Sequence, residues 1–328
     1  MVDKEEYFLK RLVITGNGFD LAHGLPTKYS DFKEYLNCYE RDLGLSRQYL
    51  HFTGTSERHQ HKSSFYEAIS KYIPESVLWS SFESALSLLD DEQLQEDNRC
   101  YLLGYSDENW SDSAHHDFQY MINEALAFSS DISYYFSQWI QSIDTRVLTS
   151  VSSEIINAES IFLTFNYTDT LESSYGIPEE RIVYIHGKAL RGERLIVGHH
   201  DISLIEEEEA EEFWSDEERE LYYQNCAEDV RIIEAKEIIK NYFKRTYKDT
   251  ASIIQKNQNF FDVLNLIDEI YIFGHSLAMT DFEYFLEIKK RVPLLSKWNI
   301  SYHSEEDYYN VQNFVQKIGI DEYEIFYL

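Results

Sequence analysis

The sequence has few of the residues that mark linkers, disulfide frameworks or structural metal modules. Its 328 residues include only 4 prolines and 12 glycines, which excludes long Pro-rich or Gly-rich linkers. The three cysteines, Cys38, Cys100 and Cys226, lie far apart and form no Cys-x-x-Cys pair. A structural zinc site and a disulfide framework are therefore not expected. Three scattered thiols fit a reducing compartment.

Long apolar runs and positive charge are also scarce. No run of about 18 apolar residues exists, so no membrane span is expected. Residues 1–10 are charged and lack the apolar stretch of a signal peptide, which favours a cytoplasmic location. Lys and Arg number 29 against 59 Asp and Glu, a net charge of −30. That field repels nucleic acid and anionic lipid, although backbone N–H groups could still hold a small anionic ligand.

The chain is nonetheless rich in packing material, with 43% hydrophobic and 16% aromatic residues. Short apolar runs ended by polar or glycine residues predict strands at 12–15, 160–165, 181–185, 195–198, 269–273, 298–303 and, at an edge, 322–328. Helical patterns follow several of them, at about 30–39, 281–290 and 305–318. This alternation predicts an α/β fold with a mostly parallel, Rossmann-like sheet that carries helices on both faces.

Two stretches lack strand patterns and predict helical insertions into a single α/β domain spanning 1–328. The first covers about 45–150, with helical patterns at 64–73, 83–89 and 117–147 and a polar loop containing His59 and His61. The second covers about 202–256; it begins with the acidic stretch 206–220 and has two helices between 212 and 256. The acidic stretch is most simply an exposed helical face.

Candidate ligand residues follow the predicted strands, in the order Gly16-Asn17-Gly18-Phe19-Asp20, Asn166 to Asp169, His186-Gly187 and Gly274-His275-Ser276. In a parallel sheet these loops can converge on one cleft beyond the carboxyl ends of the strands. Gly16 and Gly18 allow close approach of backbone to a ligand, and nearby N–H donors suit a pyrophosphate. Asp20 could bind ribose hydroxyls. The alternative is a tight turn in which Asp20 caps a helix.

Asn166, Asp169 and His186 each have a functional and a structural interpretation. Asn166 could orient a ribose or a water, or could satisfy a turn. Asp169 could contribute to the ligand site, although helix capping is the simpler role. An imidazole titrates near neutrality, so His186 suits a general base; the alternative is a buried structural histidine. A nucleophile elbow is poorly supported, because residues 274–278 lack the final glycine of Gly-x-Ser-x-Gly.

Two blocks of the sequence are distinctive, Ile14-Thr15-Gly16-Asn17-Gly18-Phe19-Asp20-Leu21-Ala22-His23-Gly24-Leu25-Pro26-Thr27 and Thr164-Phe165-Asn166-Tyr167-Thr168-Asp169-Thr170-Leu171-Glu172. They resemble blocks of the AbiH family of bacteriophage abortive-infection proteins, and the first block is specific. Ile185-His186-Gly187 and Gly274-His275-Ser276-Leu277 with Asp281 are similar to later blocks of that family. The resemblance implies a phage-defence protein.

A more distant resemblance is to sirtuin-type NAD-consuming domains, which carry a GAG loop, a TQN block, a His-Gly and a late Gly-x-Ser in this order. The resemblance implies NAD as substrate, with no further cofactor. Asn166 would position the nicotinamide ribose or the attacking water, His186 would be the base, and residues 16–18 would contact the phosphates. Phe165 replaces the sirtuin glutamine and Thr168 resembles an insertion before Asp169. The two-CxxC zinc module is absent, which favours NAD hydrolysis over protein deacetylation.

Two other functions fit the same residues. One is a metal-dependent nuclease or phosphohydrolase in phage defence, with ligands drawn from Asp20, His186, His199, His200 and Asp201. The other is a non-catalytic nucleotide sensor whose helical insertion binds a partner. A phage trigger protein and a homo-oligomer are expected partners of an effector that must stay silent until infection.

Overall fold

The computed structural model describes residues 11–42, 65–147, 154–157, 160–206, 215 and 229–328. Contacts within the chain define two compact units. The first unit comprises Met1–Phe32, Ser133–Val197 and Asp249–Leu328. The second unit comprises Lys33–Ile132 and Gly198–Lys248.

The first unit is built on one sheet of six parallel strands. The strands are β1 Arg11–Thr15, β2 Ser160–Thr164, β3 Ile182–Tyr184, β4 Glu269–Phe273, β5 Lys297–Tyr302 and β6 Tyr323–Tyr327. Their order across the sheet is β3-β2-β1-β4-β5-β6. Val13 of β1 lies between Phe162 of β2 and Tyr271 of β4. The predicted parallel, Rossmann-like sheet is confirmed.

The middle residues of the central strands are apolar because helices and loops cover both faces of the sheet. Successive side chains of a strand point to opposite faces, so Leu12 and Ile14 join one core cluster and Val13 joins the other. The helices Phe282–Arg291 and Glu305–Ile318 contribute to the first cluster. Edge strand β6 is mostly exposed or half-buried, in line with its predicted edge position.

The helices of the first unit begin and end at recognisable residues. Ser304 caps its helix by accepting a hydrogen bond from the Asp307 N–H, and Gly319 ends that helix with φ +73°. Asp249 caps the helix Thr250–Lys256 in the same way, by accepting a hydrogen bond from the Ser252 N–H. The α-helices with residues in the first unit are Asn17–Ala22, Tyr29–Asp42, Ile132–Gln141, Thr170–Tyr175, Thr250–Lys256, Gln258–Asp262, Phe282–Arg291 and Glu305–Ile318. The helix Tyr29–Asp42 continues past Phe32, where the first segment of this unit ends.

The described residues of the second unit form helices and one isolated β-bridge, between His199 and Tyr247. The longest helix, Val230–Thr246, packs against Asp117–Ala125. The other helices are Phe65–Tyr72, Glu75–Leu78, Phe82–Ala85 and Asp91–Asn98. The helical character predicted for the chain between β1 and β2 is confirmed over residues 65–141.

The predicted strand at 195–198 is wrong. The Leu195 N–H donates to the Ser133 hydroxyl and the Ile196 N–H to the His186 carbonyl, so this segment makes no ladder with β3. The helix predicted across 117–147 is interrupted, because a 3-10 turn at Ala127–Ser130 separates two shorter helices. Ser129 Oγ in that turn donates to the Leu126 carbonyl, a local bond that competes with helix continuation.

Several predictions lie outside the described residues. They concern the loop with His59 and His61, Cys226, and nearly all of the acidic stretch 206–220. The organisation of the chain as a single domain with two insertions stays a prediction. Within the described ranges, no helix combines the length and the apolar character needed to cross a membrane.

Candidate functional site

The strand order of the sheet reverses between β1 and β4, which is where open parallel sheets bind ligands. The loops that follow β1, β2, β3 and β4 extend from this carboxyl edge. Backbone hydrogen bonds continue the ladder into the loops, from Gly16 N–H to Phe273 O and from Phe165 N–H to Thr15 O. The predicted site loops after β1, β2 and β4 are therefore neighbours in space.

The loops after β1 and β4 contact each other backbone to backbone. The Gly18 N–H donates to the Gly274 carbonyl at 2.7 Å. A Cβ on Gly18 would lie 2.7 Å from that carbonyl oxygen, and one on Gly16 would lie 2.6 Å from the His275 Cα. Gly274 adopts φ +60°, and a Cβ there would lie 2.1 Å from the Phe19 nitrogen. Packing between the two loops thus requires all three glycines.

Three amide donors of the first loop are engaged within the protein. Gly16 N–H donates to Phe273 O, Gly18 N–H to Gly274 O and Phe19 N–H to Gly16 O. Asn17 and Ser276 are the exposed polar side chains of the two loops. The Asn17 amide donates to the Thr27 carbonyl at 2.8 Å. Both side chains are therefore accessible to a ligand at this edge of the sheet.

Asp20 lies at the centre of a buried polar cluster. Its carboxylate accepts hydrogen bonds from the hydroxyls of Thr168, at 2.7 Å, and Thr170, at 2.8 Å, and from the Asn166 side chain. The side chain is 1% exposed, and this burial raises the pKa of Asp20 to about 6, against the lowering effect of the three hydrogen bonds. The alternative that Asp20 caps a helix is wrong, because its partners lie after β2.

Asp169 occupies the N-terminal boundary of the helix Thr170–Tyr175, but its side chain makes no capping hydrogen bond. Its carboxylate instead accepts a bond from the hydroxyl of Thr145. The predicted capping role is therefore not the one its side chain plays. Asp169 fixes the loop after β2 to the segment that carries Thr145, beside the Asp20 cluster.

Asn166 and His186, the two predicted catalytic residues, follow adjacent strands. The Asn166 N–H donates to Thr164 Oγ1 at 3.1 Å, and its side chain reaches Asp20. The His186 ring packs edge to face against Phe165, with centroids 5.3 Å apart, and is 3% exposed. Its Nε2 lies 3.7 Å from a carboxylate oxygen of Asp281.

His275 approaches the same carboxylate from the loop after β4. Its Nε2 lies 3.5 Å from the second oxygen of Asp281, and its Nδ1 accepts a hydrogen bond from the Leu277 N–H at 2.9 Å. Leu277 adopts φ +55°, which is uncommon for a residue other than glycine. His275 and His186 both contact the Phe165 ring. The sequence placed Asp281 in a family block but gave no reason to join it to two histidines.

Two residues of the metal-dependent alternative, His199 and Asp201, are engaged locally in the second unit. His199 Nε2 lies 3.1 Å from the Phe243 carbonyl, and its Nδ1 accepts from the Asp201 N–H. The Asp201 carboxylate accepts from the backbone and hydroxyl of Ser203. Across the part of the chain that the structure describes, no group of three or more His, Cys, Asp or Glu side chains could hold a metal ion.

Replacing Asp20 by asparagine should remove a pH dependence of stability. The unfolded carboxyl ionises near pH 3.8 and the folded one near 6, so between these values the folded protein retains a proton that the unfolded chain has released. Wild-type stability therefore falls as pH rises through this window. The quantity to compare is the difference in unfolding free energy, wild type minus Asp20→Asn. We expect this difference to fall by roughly 1–2 kcal/mol between about pH 5 and about pH 7.5.

Urea unfolding at a series of pH values measures this difference. Asp249→Asn is the matched control, because hydrogen bonds from Ser252 lower the pKa of Asp249 and place its titration below the window. Its difference from wild type should stay constant. A constant difference for Asp20→Asn as well would contradict the raised pKa.

Comparison with protein families gives a match over most of the chain. The family model described as "Bacteriophage abortive infection AbiH" matches residues 12–302. It thus includes the loops after β1, β2, β3 and β4. No curated protein and no solved structure matches the chain.

Proposed function

Because this chain belongs to the AbiH family of bacteriophage abortive-infection proteins, we propose that it acts by binding and hydrolysing NAD at the carboxyl edge of its sheet. The observation that carries the proposal is the reversal of strand order between β1 and β4, with candidate residues in the loops on both sides of it. This is the position at which parallel sheets of this strand order hold dinucleotides. Loss of NAD in an infected cell would stop phage replication together with host metabolism.

The reaction breaks the bond between C1′ of the ribose and the nicotinamide nitrogen, and the electron pair leaves with nicotinamide. A water oxygen forms the new bond to C1′, and the His186 imidazole accepts its proton. The leaving group carries a positive charge at the start, so the protein has mainly to orient the ribose and stabilise the developing cation. Asn166 would orient the ribose or the water, at a position fixed by Asp20.

The proposal assigns the dinucleotide to residues from both loops at the strand-order reversal. Asn17 and Ser276 are exposed there and would hydrogen-bond to the phosphates, while residues 16–20, Asp169 and residues 274–276 form the surrounding wall. The engaged amides of Gly16, Gly18 and Phe19 make these side chains the better phosphate donors.

Incubation of the pure protein with NAD, followed by chromatography of nicotinamide and ADP-ribose, tests the proposal. We expect release of both products and a fall in rate of at least about 100-fold in His186→Ala, since general base catalysis contributes 10²–10⁴-fold. An unchanged rate of NAD consumption in His186→Ala would sink the assignment.

His200→Ala is the matched control, because His200 is exposed and belongs to the metal-dependent alternative but not to this mechanism. Its NAD hydrolysis should equal that of wild type, with or without EDTA. Loss of activity in His200→Ala or in EDTA would favour metal-dependent hydrolysis.

A second candidate is a nucleotide-binding module without turnover. The burial of His186 and Asn166, at 3% and 6% exposure, favours it, because a substrate must reach both groups. Calorimetry would then detect NAD or ADP-ribose binding while chromatography detected no nicotinamide. In either case the protein must be inactive before infection. The proposal therefore includes a phage component that triggers the protein and the assembly of several copies of the chain.

A further inference from the structure

Asp281 connects two histidines that come from opposite sides of the strand-order reversal. One carboxylate oxygen lies 3.7 Å from His186 Nε2, after β3, and the other lies 3.5 Å from His275 Nε2, after β4. All three side chains are nearly enclosed, with exposures of 3% for the two histidine side chains and 11% for the Asp281 side chain. A carboxylate in so dry a place interacts strongly with both rings.

The backbone determines how His275 presents itself to the carboxylate. The Leu277 N–H donates to His275 Nδ1 at 2.9 Å, so a neutral His275 carries its proton on Nε2. That Nε2 faces Asp281. Leu277 takes the uncommon φ of +55° in the same turn that forms this bond. The turn therefore orients His275 as a donor toward the carboxylate.

Phe165 holds the two imidazoles apart and in place. Its ring centroid lies 4.4 Å from that of His275 and 5.3 Å from that of His186, both edge to face. The Phe285 ring stacks on the Phe165 ring, with centroids 5.8 Å apart and an interplanar angle of 7°. With Phe165 as a shared wall, Asp281 is the group that both rings can reach.

We propose that Asp281 is a positioning residue that fixes His186 and His275 around one carboxylate and stabilises the imidazolium that His186 becomes when it accepts a proton. The chemistry of this inference rests on the proposed function, whereas its geometry does not. Asp281 touches no reacting atom; it acts through His186. The role resembles that of any carboxylate that orients a catalytic imidazole and balances its charge.

The groups around the two rings are compatible with this role. His186 faces Tyr167, Tyr284 and, at ion-pair distance, Asp281. His275 faces Phe165 and Phe285 as well as Asp281. Lys188, two residues after His186, forms an ion pair with Glu172. Among the contacts described, Asp281 is thus the carboxylate that lies against both imidazole rings.

NMR titration of the imidazoles in the full chain, labelled with ¹⁵N-histidine, tests the inference in wild type and Asp281→Asn. We expect the pKa of His186 to fall by about one unit or more in the variant, because an adjacent opposite charge shifts a pKa by 1–3 units. Asp262→Asn, a substitution at a surface ion pair with Arg291 in the same unit, should leave the pKa of His186 unchanged.

Kinetics give the second readout wherever NAD is hydrolysed. Asp281→Asn should lower kcat about 100-fold with KM nearly unchanged, and should move the acidic limb of the pH profile to lower pH. Asp281→Glu, which keeps the charge, should retain the pKa of His186 and recover part of kcat. It also serves as the test variant if Asp281→Asn does not fold, since the pKa of His186 in Asp281→Glu should then match that of wild type.

The two proposals fail separately. If NAD is not consumed but the pKa of His186 falls in Asp281→Asn, the proposed reaction is wrong and the positioning role of Asp281 stands. If the pKa of His186 does not move in Asp281→Asn, or if it falls in Asp281→Glu, the inference is overturned whatever the protein does to NAD.

Discussion

Gly274→Ala is expected to destabilise the first unit by more than about 4 kcal/mol, enough to unfold many domains. The backbone at Gly274 has φ +60°, a conformation that costs an L-residue roughly 1–2 kcal/mol. The added Cβ would in addition lie 2.1 Å from the Phe19 nitrogen and 2.2 Å from the Gly18 carbonyl carbon. Both are backbone atoms, so no side-chain rotation relieves the clash.

Relief requires the loops after β1 and β4 to separate. Separation breaks the hydrogen bond from Gly18 N–H to Gly274 O and moves Phe19, whose side chain is fully buried. Withdrawing a phenylalanine from the core costs about 1.5–3 kcal/mol. The strain, the lost bond and the disturbed core together give the expected effect.

Gly176→Ala is the matched control. Gly176 has nearly the same backbone conformation, with φ +65°, but a Cβ there meets nothing within 4 Å. It should cost only the conformational part, about 1–2 kcal/mol. Urea unfolding of both variants measures the difference. Similar losses in the two variants would contradict the close approach of the two loops.

These glycines also show where inference from the sequence stops. Gly16 and Gly18 were assigned to a ligand because glycine permits a close approach to backbone, and a close approach is what the structure has. The approaching group is another loop of the same chain, centred on Gly274. The sequence contains no sign that these two segments touch, because that contact depends on β1 and β4 being neighbours.

The fold itself was largely predictable. Five of the six strands are runs of apolar or β-branched residues ended by polar or glycine residues, and the sixth was expected at an edge. The predicted strand at 195–198 has the same local signal as β3 but no partner with a continuous ladder. Local pattern cannot tell a strand from an extended loop when tertiary pairing decides between them.

The candidate site was predictable in part, for a similar reason. The carboxyl ends of parallel strands meet at one edge, which is why Asn166, His186 and His275 could be grouped before the structure was known. Asp281 follows the loop after β4, and the sequence does not show that it lies near two histidines. The turn at Leu277 directs His275 Nε2 toward its carboxylate. The burial that raises the pKa of Asp20 is likewise a tertiary property.

The burial of Lys248 in the second unit also depends on tertiary structure. Removing its ion-pair partner is the second substitution for which we expect a large loss of stability. Its side chain is 0% exposed, and its Nζ lies 2.6 Å from a carboxylate oxygen of Glu83. Lysine is almost never fully buried without a partner of opposite charge. Glu83→Ala leaves the ammonium in a dry interior without that carboxylate, so we expect a loss of about 3–5 kcal/mol in the unfolding free energy.

Two comparisons separate this buried pair from ordinary charge removal. Glu96→Ala makes the same substitution at an exposed pair with Arg99 in the same unit, and should cost less than about 1 kcal/mol. The double variant Glu83→Leu with Lys248→Met replaces the pair by apolar side chains, and should recover most of the loss because desolvation offsets much of the attraction in a buried pair. Urea unfolding of wild type, the two alanine variants and the double variant measures these differences in stability. If Glu83→Ala costs no more than Glu96→Ala, the ammonium of Lys248 has found other charge or water, and the buried pair is not what fixes this part of the second unit.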